Sequence, residues 1–326
     1  MRVLVTGCAG YIGSVLTRQL LGQGHHVRGM DALFFGGDSL LDIMTHPRFE
    51  FVRADVRDNK ALVAALDGVE AVAHLAAIVG DPACAQQPDL ARAINLEAST
   101  TLLRLCNENL SVQRFVFAST CSNYGKMQGD GYVKEDSPLR PVSLYAELKV
   151  GFEKHLLQAV LRPNLIATAL RFATVYGVSP RMRFDLTVNE FVRDLALGRT
   201  LRVFGQQFWR PYCHVEDLAR SVVLILESPA DKVRQDVFNV GDTRENYTKE
   251  MIVNEIFKCL RDAPRTLVTY VQKTEDPRDY RVDFSKIHST LGFQITKRVP
   301  DGIRELSVLL RHGVISDPDA ARFKNV

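Results

Sequence analysis

Tyr145 and Lys149 stand four residues apart in "SLYAELKVGFEKHL". On a helix that spacing stacks both side chains on one face. A phenol titrates near ~10, too high for a base at neutral pH, and a neighbouring cation lowers that value by stabilising phenolate. Of the nine tyrosines, only Tyr145 has Lys at the fourth following position. Upstream, "ASTCSNYG" (118–125) crowds polar groups at the end of the apolar run "RFVFA". There Thr120 can share the hydrogen of a substrate alcohol with the tyrosine, while Ser119 and Ser122 can orient whatever binds beside them. The chemistry this set supports is proton removal from an alcohol.

Such a proton transfer needs an acceptor for the hydrogen left on carbon. "VTGCAGYIG" places Gly7, Gly10 and Gly13 between an apolar strand and a helical pattern. Glycines there let the backbone approach a pyrophosphate, whose charge then meets the positive helix N-terminus. Gly7, Gly10, Tyr11, Ile12 and Gly13 are therefore expected on a dinucleotide. "HVRGMD" ends in Asp31, where an acid would accept the hydroxyls of the adenosine ribose and repel a 2′-phosphate. No Arg or Lys follows in "ALFF", so NAD is expected rather than NADP. Ser119 and Ser122 would then orient nicotinamide and substrate.

The elements carrying these residues follow from alternation. Aliphatic runs at 2–6, 25–30, 49–54, 71–76 and 114–119 read as strands, with helical patterns at 12–22, 59–66, 88–109 and 143–161 between them. Residues 164–177 read as one further strand. Strands separated by helices imply βαβ units and a parallel sheet covered on both faces. The rhythm then becomes irregular, with a helix after "VSPRMRFDL", a short strand "LRVFG", the amphipathic "HVEDLARSVVLILES" and the strand "DVFNVG". The expected fold is α/β: a Rossmann-type doubly wound parallel sheet with a smaller C-terminal substrate-binding lobe. Residues 1–176 form the NAD-binding domain, to which 212–240 return, and 177–211 with 241–326 form the substrate lobe.

Composition narrows the partners. Net charge is +3, with no basic block or basic–aromatic stripe, so neither nucleic acid nor a membrane surface is expected. The six cysteines are scattered without CxxC, as small buried hydrophobes in a reducing compartment are. No apolar run approaches the ~20 residues of a membrane span. "MRVLVTG" enters its first strand at once, which leaves a cytoplasmic location as the expectation.

Taken together, "VTGCAGYIG", Asp31, "ADVRD" (54–58), "HLAA" (74–77), Asn95, "STCSNYG", "YAELK" and "LRFATVYG" resemble the extended short-chain dehydrogenase/reductases, more narrowly their NAD-dependent nucleotide-sugar epimerase/dehydratase group. The resemblance implies adenine contacts at Asp55 and Val56, and Leu75, Ala76, Ala77 and Asn95 along the cofactor. It also implies a bond from Lys149 to the nicotinamide ribose and Phe172 beside the nicotinamide. "RPYCHVEDLA" is similar to the group's "RDYIHVxDLA", which makes Arg210 a ligand of a substrate phosphate. "RMRFDL" resembles the RxRPDM segment of UDP-glucuronate 4-epimerases, which implies that Arg181 and Arg183 bind a diphosphate or a sugar carboxylate. Asn189 would bond the diphosphate or the sugar. Where the group reads RPG, this chain reads "QKTEDPRDYRVDFSKI", so either Lys273 or Arg278 replaces that arginine. The group pairs as homodimers through helices corresponding to 88–109 and 143–161.

The resemblance also has an informative gap. In the group's 4,6-dehydratases the strand end reads TDEVYG, and its two acids eliminate water from a keto-sugar. The same places here are Cys121 and Ser122. Lacking proton transfers worth typically ~10²–10⁴ in rate per group, elimination is disfavoured. What remains is reversible oxidation, pointing to a 4-epimerase of a nucleotide-linked hexose or hexuronate, with Tyr145 as base. A net oxidoreductase, either a 4-keto-sugar reductase or a sugar dehydrogenase, would share every catalytic residue. A non-catalytic NAD-binding sensor would be expected to have lost Tyr145 or Lys149.

Overall fold

Seven parallel strands build the central sheet of the computed structural model, which describes residues 1–272 and 278–325. They are β1 (Arg2–Thr6), β2 (His26–Asp31), β3 (Phe49–Arg53), β4 (Ala71–His74), β5 (Arg114–Thr120), β6 (Ile166–Phe172) and, after three strands of the second lobe, β10 (Asp236–Val240). Their order is β10-β6-β5-β4-β1-β2-β3. Every residue of β4 and β6 is buried. That follows from helices covering both faces, and it is why these strands read as unbroken apolar runs. On one face Leu16, Leu20, Val222 and Phe238 share a core. On the other, Leu62, Leu102, Phe115 and Phe152 do the same.

This topology decides where a ligand can sit. The strand order reverses direction between β1 and β4, opening a crevice at the carboxyl edge. Register brings the relevant positions to that edge together, with Thr6 opposite His74 and Thr120 opposite Phe172.

The second lobe has its own core of Phe191, Ile252, Ile256, Ile303 and Leu306. Helices Thr187–Ala196, Lys249–Cys259 and Val299–Arg311 pack around it. Its strands are β7 (Thr174–Tyr176), β8 (Leu201–Phe204), β9 (Trp209–His214), β11 (Asn246–Thr248) and β12 (Val268–Val271). They form the small sheets β11-β9-β7 and β12-β8.

Two expectations change here, and one strand is new. The run 164–177 is two strands, because the chain leaves the central sheet at Ala173 and enters the second lobe as β7. Helix 88–109 is interrupted by a π-helical turn, Ala93–Ala98, between Pro88–Arg92 and Ser99–Glu108. Such widened turns recur at functional sites, and this one carries Asn95. Finally, Trp209–His214 is a strand, although its polar sequence carries no strand pattern.

Candidate active site

The glycine loop is shaped by side chains it cannot have. Gly7 has φ +77°, and a Cβ there would lie 2.8 Å from the Ala76 nitrogen. A Cβ on Gly13 would lie 2.0 Å from the Gly7 oxygen. Helix Tyr11–Gly22 thus starts directly against the end of β1, with Gly10 as its N-cap and its free N–H groups facing the crevice edge. Asp31 braces the loop, its two carboxylate oxygens accepting from Ala9 N at 3.0 Å and Leu33 N at 2.8 Å. Burial nevertheless pushes the Asp31 carboxyl up. A cradle of backbone donors beside an acid at the next strand end fits a dinucleotide.

Across the crevice, the loop after β4 is pinned in place. Leu75 N donates to Thr6 O at 3.2 Å, and Ala76 N donates to Thr6 Oγ1 at 3.3 Å. The Asn95 amide zips Ile78, accepting from its N–H at 2.8 Å and donating to its C=O at 2.9 Å. Val56 packs with Ile78 and Ile94, while Asp55 is held by Arg57 at 2.8 Å. His74 was missed by sequence reasoning, although it opens the "HLAA" run. Its ring joins Thr6 Oγ1 at 2.7 Å to Ser99 Oγ at 2.9 Å, and burial holds it neutral by pushing its pKa down to about 3.

Tyr145 and Lys149 lie in the first two turns of helix Leu144–Gln158, which Ser143 caps by accepting from Ala146 N. The Tyr145 hydroxyl lies beside Thr120. Lys149 Nζ donates to Ala118 O at 2.8 Å and lies 5.9 Å from the Tyr145 ring centroid. Spacing alone suggested a lowered phenol pKa, but in the protein itself burial pushes Tyr145 up. The nearby Cys84 and Asp81 add to the rise, whereas Arg183 and Thr120 oppose it. Burial also pushes Lys149 down to about 8.

Lys149 therefore carries a pH signature. The folded chain gives up this proton near pH 8 and an ordinary lysine near 10.5. Between those values the unfolded state holds more protons, so stability contributed through this group rises with pH across the window. The stability of the wild type relative to Lys149→Met should accordingly increase from pH 8 to pH 10, measured by urea unfolding. A difference that does not change with pH would contradict the buried cation.

The remaining polar groups of "ASTCSNYG" have other partners. Ser119 Oγ donates to Glu153 Oε2 at 2.6 Å and accepts from Asn123 Nδ2 at 3.1 Å. Cys121 is buried with its thiol on Arg171 O, and burial pushes its pKa far up. Ser122 lies near the hydroxyl of Tyr280, over whose ring the Arg210 guanidinium lies at 5.4 Å. Phe172 ends β6 beside Thr120. Arg278 pairs with Asp81 at 2.9 Å, and Asp81 also accepts from Ser143 Oγ at 2.7 Å. Lys273, the other residue expected in that role, lies outside the described residues.

The two arginines of "RMRFDL" part company. Arg183 forms a two-pronged pair with Asp185, at 2.9 and 2.7 Å, and its charge reaches Tyr145. Arg181 instead stacks on Phe35, in the loop that follows Asp31. Asn189 is fully buried. Its Nδ2 donates to Tyr11 Oη at 3.0 Å and Arg183 O at 2.8 Å, and its Oδ1 accepts from Gly177 N at 3.0 Å. Sequence reasoning overlooked Asp81, whose partners come from loops distant in the chain.

A doubly wound sheet with a glycine cradle, an acid at the end of the next strand and a Tyr–Lys pair at its carboxyl edge fits a dinucleotide-dependent enzyme. The NAD dependent epimerase/dehydratase family profile matches residues 3–241, and the chain belongs to that family. Its cofactor is NAD. Among its relatives, the uncharacterised UDP-glucose epimerase YtcB of Bacillus subtilis is 30% identical over 93% of this chain and 96% of that protein. The dTDP-glucose 4,6-dehydratase DesIV of Streptomyces venezuelae, solved with NAD, superposes with a TM-score of 0.84 at 28% identity, covering 96% of this chain and 97% of that one. The UDP-glucuronic acid 4-epimerase of Bacillus cereus, solved with UDP-glucuronic acid and NAD, gives 0.84 at 25% identity, covering 96% and 99%. Among the described residues no His/Cys/Asp/Glu cluster could hold a metal, and no helix is long and apolar enough to cross a membrane.

Proposed function

We propose that this protein is an NAD-dependent nucleotide-sugar epimerase that inverts C4 of a UDP- or otherwise nucleotide-linked hexose or hexuronate through a transient 4-keto sugar. The observation carrying this reading is at the end of β5. Thr120 lies beside the Tyr145 hydroxyl, while the next two side chains are a buried thiol and a hydroxyl, not a carboxylate pair. The carboxylates around that point are engaged elsewhere: Glu153 by Arg171, Glu135 by Asn239 N, and Asp81 by Ser143 and Arg278. Proton removal is thereby supported, and elimination is not.

In this reading Tyr145 takes the proton of the sugar C4 hydroxyl, and Thr120 holds that hydroxyl through its own. Bound NAD supplies the acceptor for the hydrogen on C4 and a positive charge beside the phenol. Lys149 holds the phenol's surroundings positive and, once its bond to Ala118 O is shared, can reach a ribose hydroxyl. Ser122 and Arg183 face the sugar, and Arg210 and Arg278 take the nucleotide diphosphate, where planar guanidinium groups suit two oxygens at once. The sugar must turn over within the site before C4 is reduced on its opposite face. The exposed sides of helices Ser99–Glu108 and Leu144–Gln158 are the proposed homodimer face.

A panel of UDP-, dTDP-, GDP- and CDP-hexoses and hexuronates, followed by NMR of the products, tests the reading. An epimer without net NADH supports it. A 4-keto-6-deoxy product would assign dehydration instead, and NADH accumulating in proportion to sugar would assign a dehydrogenase.

A further inference from the structure

Arg181 arrives from the second lobe but ends beside the first. Ser179 Oγ, two residues earlier, donates to Tyr11 O at 2.7 Å and lies 3.2 Å from Ser14 Oγ, so this segment is tied to the start of helix Tyr11–Gly22. Arg181 N donates to the same Ser179 hydroxyl at 3.3 Å. The guanidinium then lies 4.5 Å above the Phe35 ring, which belongs to the loop that begins at Asp31. Phe35 thus holds it near the acid at the end of β2, and the Ser179 bond to Tyr11 ties its segment to the glycine loop.

The group's bonding is incomplete. Arg181 is 7% exposed, and its Nη2 donates to Lys324 O at 3.1 Å. Its Nε is buried with no partner among the described residues. No carboxylate forms an ion pair with it there, whereas Arg183 has Asp185 and Arg193 has Asp194. Asp185 and Asp31 act on this cation only at a distance, and burial still pushes its pKa down, so a ligand anion bonded directly to it would offset a cost the protein leaves. Phe35, with 43% of its surface exposed, leaves this edge open to solvent on one side only.

We propose that Arg181 binds the diphosphate of the dinucleotide, opposite the glycine loop, and so retains NAD between turnovers, rather than binding the sugar nucleotide. Two anions then have separate arginines. Arg181 serves the cofactor, and the sugar nucleotide is left to Arg183, Arg210 and Arg278. The inference concerns cofactor binding alone, so it stands or falls independently of which sugar is turned over.

Titration of NAD-depleted protein with ADP-ribose and with adenosine, by calorimetry, tests the assignment. Arg181→Gln should weaken ADP-ribose by about tenfold or more, the value of a lost charge-assisted bond. Adenosine affinity should hold within about twofold if the loss is specific to the diphosphate. Phe35→Ala, which keeps the guanidinium but removes its platform, should weaken ADP-ribose in the same direction and guards against a misfolded first variant. UDP affinity of the NAD-saturated Arg181→Gln protein should be unchanged. Unaltered ADP-ribose binding in both variants, or a loss confined to UDP, would overturn the proposal.

Discussion

Tyr145→Phe is expected to lower turnover by about 10²–10⁴-fold while NAD stays bound. The ring keeps its volume and its packing against the cluster that includes Ile78, Cys84 and Leu148, so only the hydroxyl is lost. That hydroxyl lies beside Thr120 at the carboxyl edge of β5. No other described phenol is placed to replace it. Tyr124 is spent on Asn239 at 2.7 Å, and Tyr280 meets Ser122 beneath Arg210. Because burial pushes the Tyr145 phenol up, the base depends on positive charge brought close to it. Lys149 alone does not overcome that burial, so the base also draws on the positive charge of bound NAD. The measurement is initial rate against retained NAD for wild type and variant. A variant with wild-type turnover would remove Tyr145 from the mechanism, and one that loses NAD would make it a binding residue.

Glu153→Gln should cost about 3–5 kcal/mol of folding stability, although Glu153 is two turns from the reacting hydroxyl. Glu153 and Arg171 are 1% and 3% exposed, and they meet at 2.6 Å. The remaining oxygens and N–H groups are also satisfied. Glu153 Oε2 accepts from Ser119 and Asn123, and Arg171 Nη1 donates to Tyr124 Oη at 2.8 Å and Glu135 O at 3.0 Å. Removing one charge leaves the other buried without compensation, which is the expensive case. Replacing both with apolar groups, as in Glu153→Leu with Arg171→Leu, should cost less than the two single changes summed. Urea unfolding reads this directly. A loss below about 1 kcal/mol for Glu153→Gln would mean that the network is not the anchor behind β5.

This network shows where sequence reading stops. Tyr145, Lys149 and Thr120 are legible because local spacing and one strand end suffice to bring them together. The strands β1 to β5 are legible as well, since burial on both faces leaves short aliphatic runs between helical patterns. Glu153 shares a helix face with Tyr145 and Lys149, yet nothing local reveals that Arg171 on β6 awaits it. The second lobe is harder for the same reason. In Trp209–His214 the main chain pairs with β7 and β11, and the side chains Arg210 and His214 hide the strand. Ser119 and Asn189 carry the right chemistry for ligands, but tertiary contacts claim their hydrogen bonds. Arg181 and Arg183 are neighbours in sequence but take different partners, Phe35 for one and Asp185 for the other.

The most direct measurement follows the hydrogen on C4 itself. An accepted nucleotide sugar carrying deuterium at C4, turned over in ordinary water by NAD-loaded protein, should yield its C4 epimer with the deuterium still on C4. An epimer that has exchanged its label for solvent hydrogen, or product that has lost water between C5 and C6, would contradict the account.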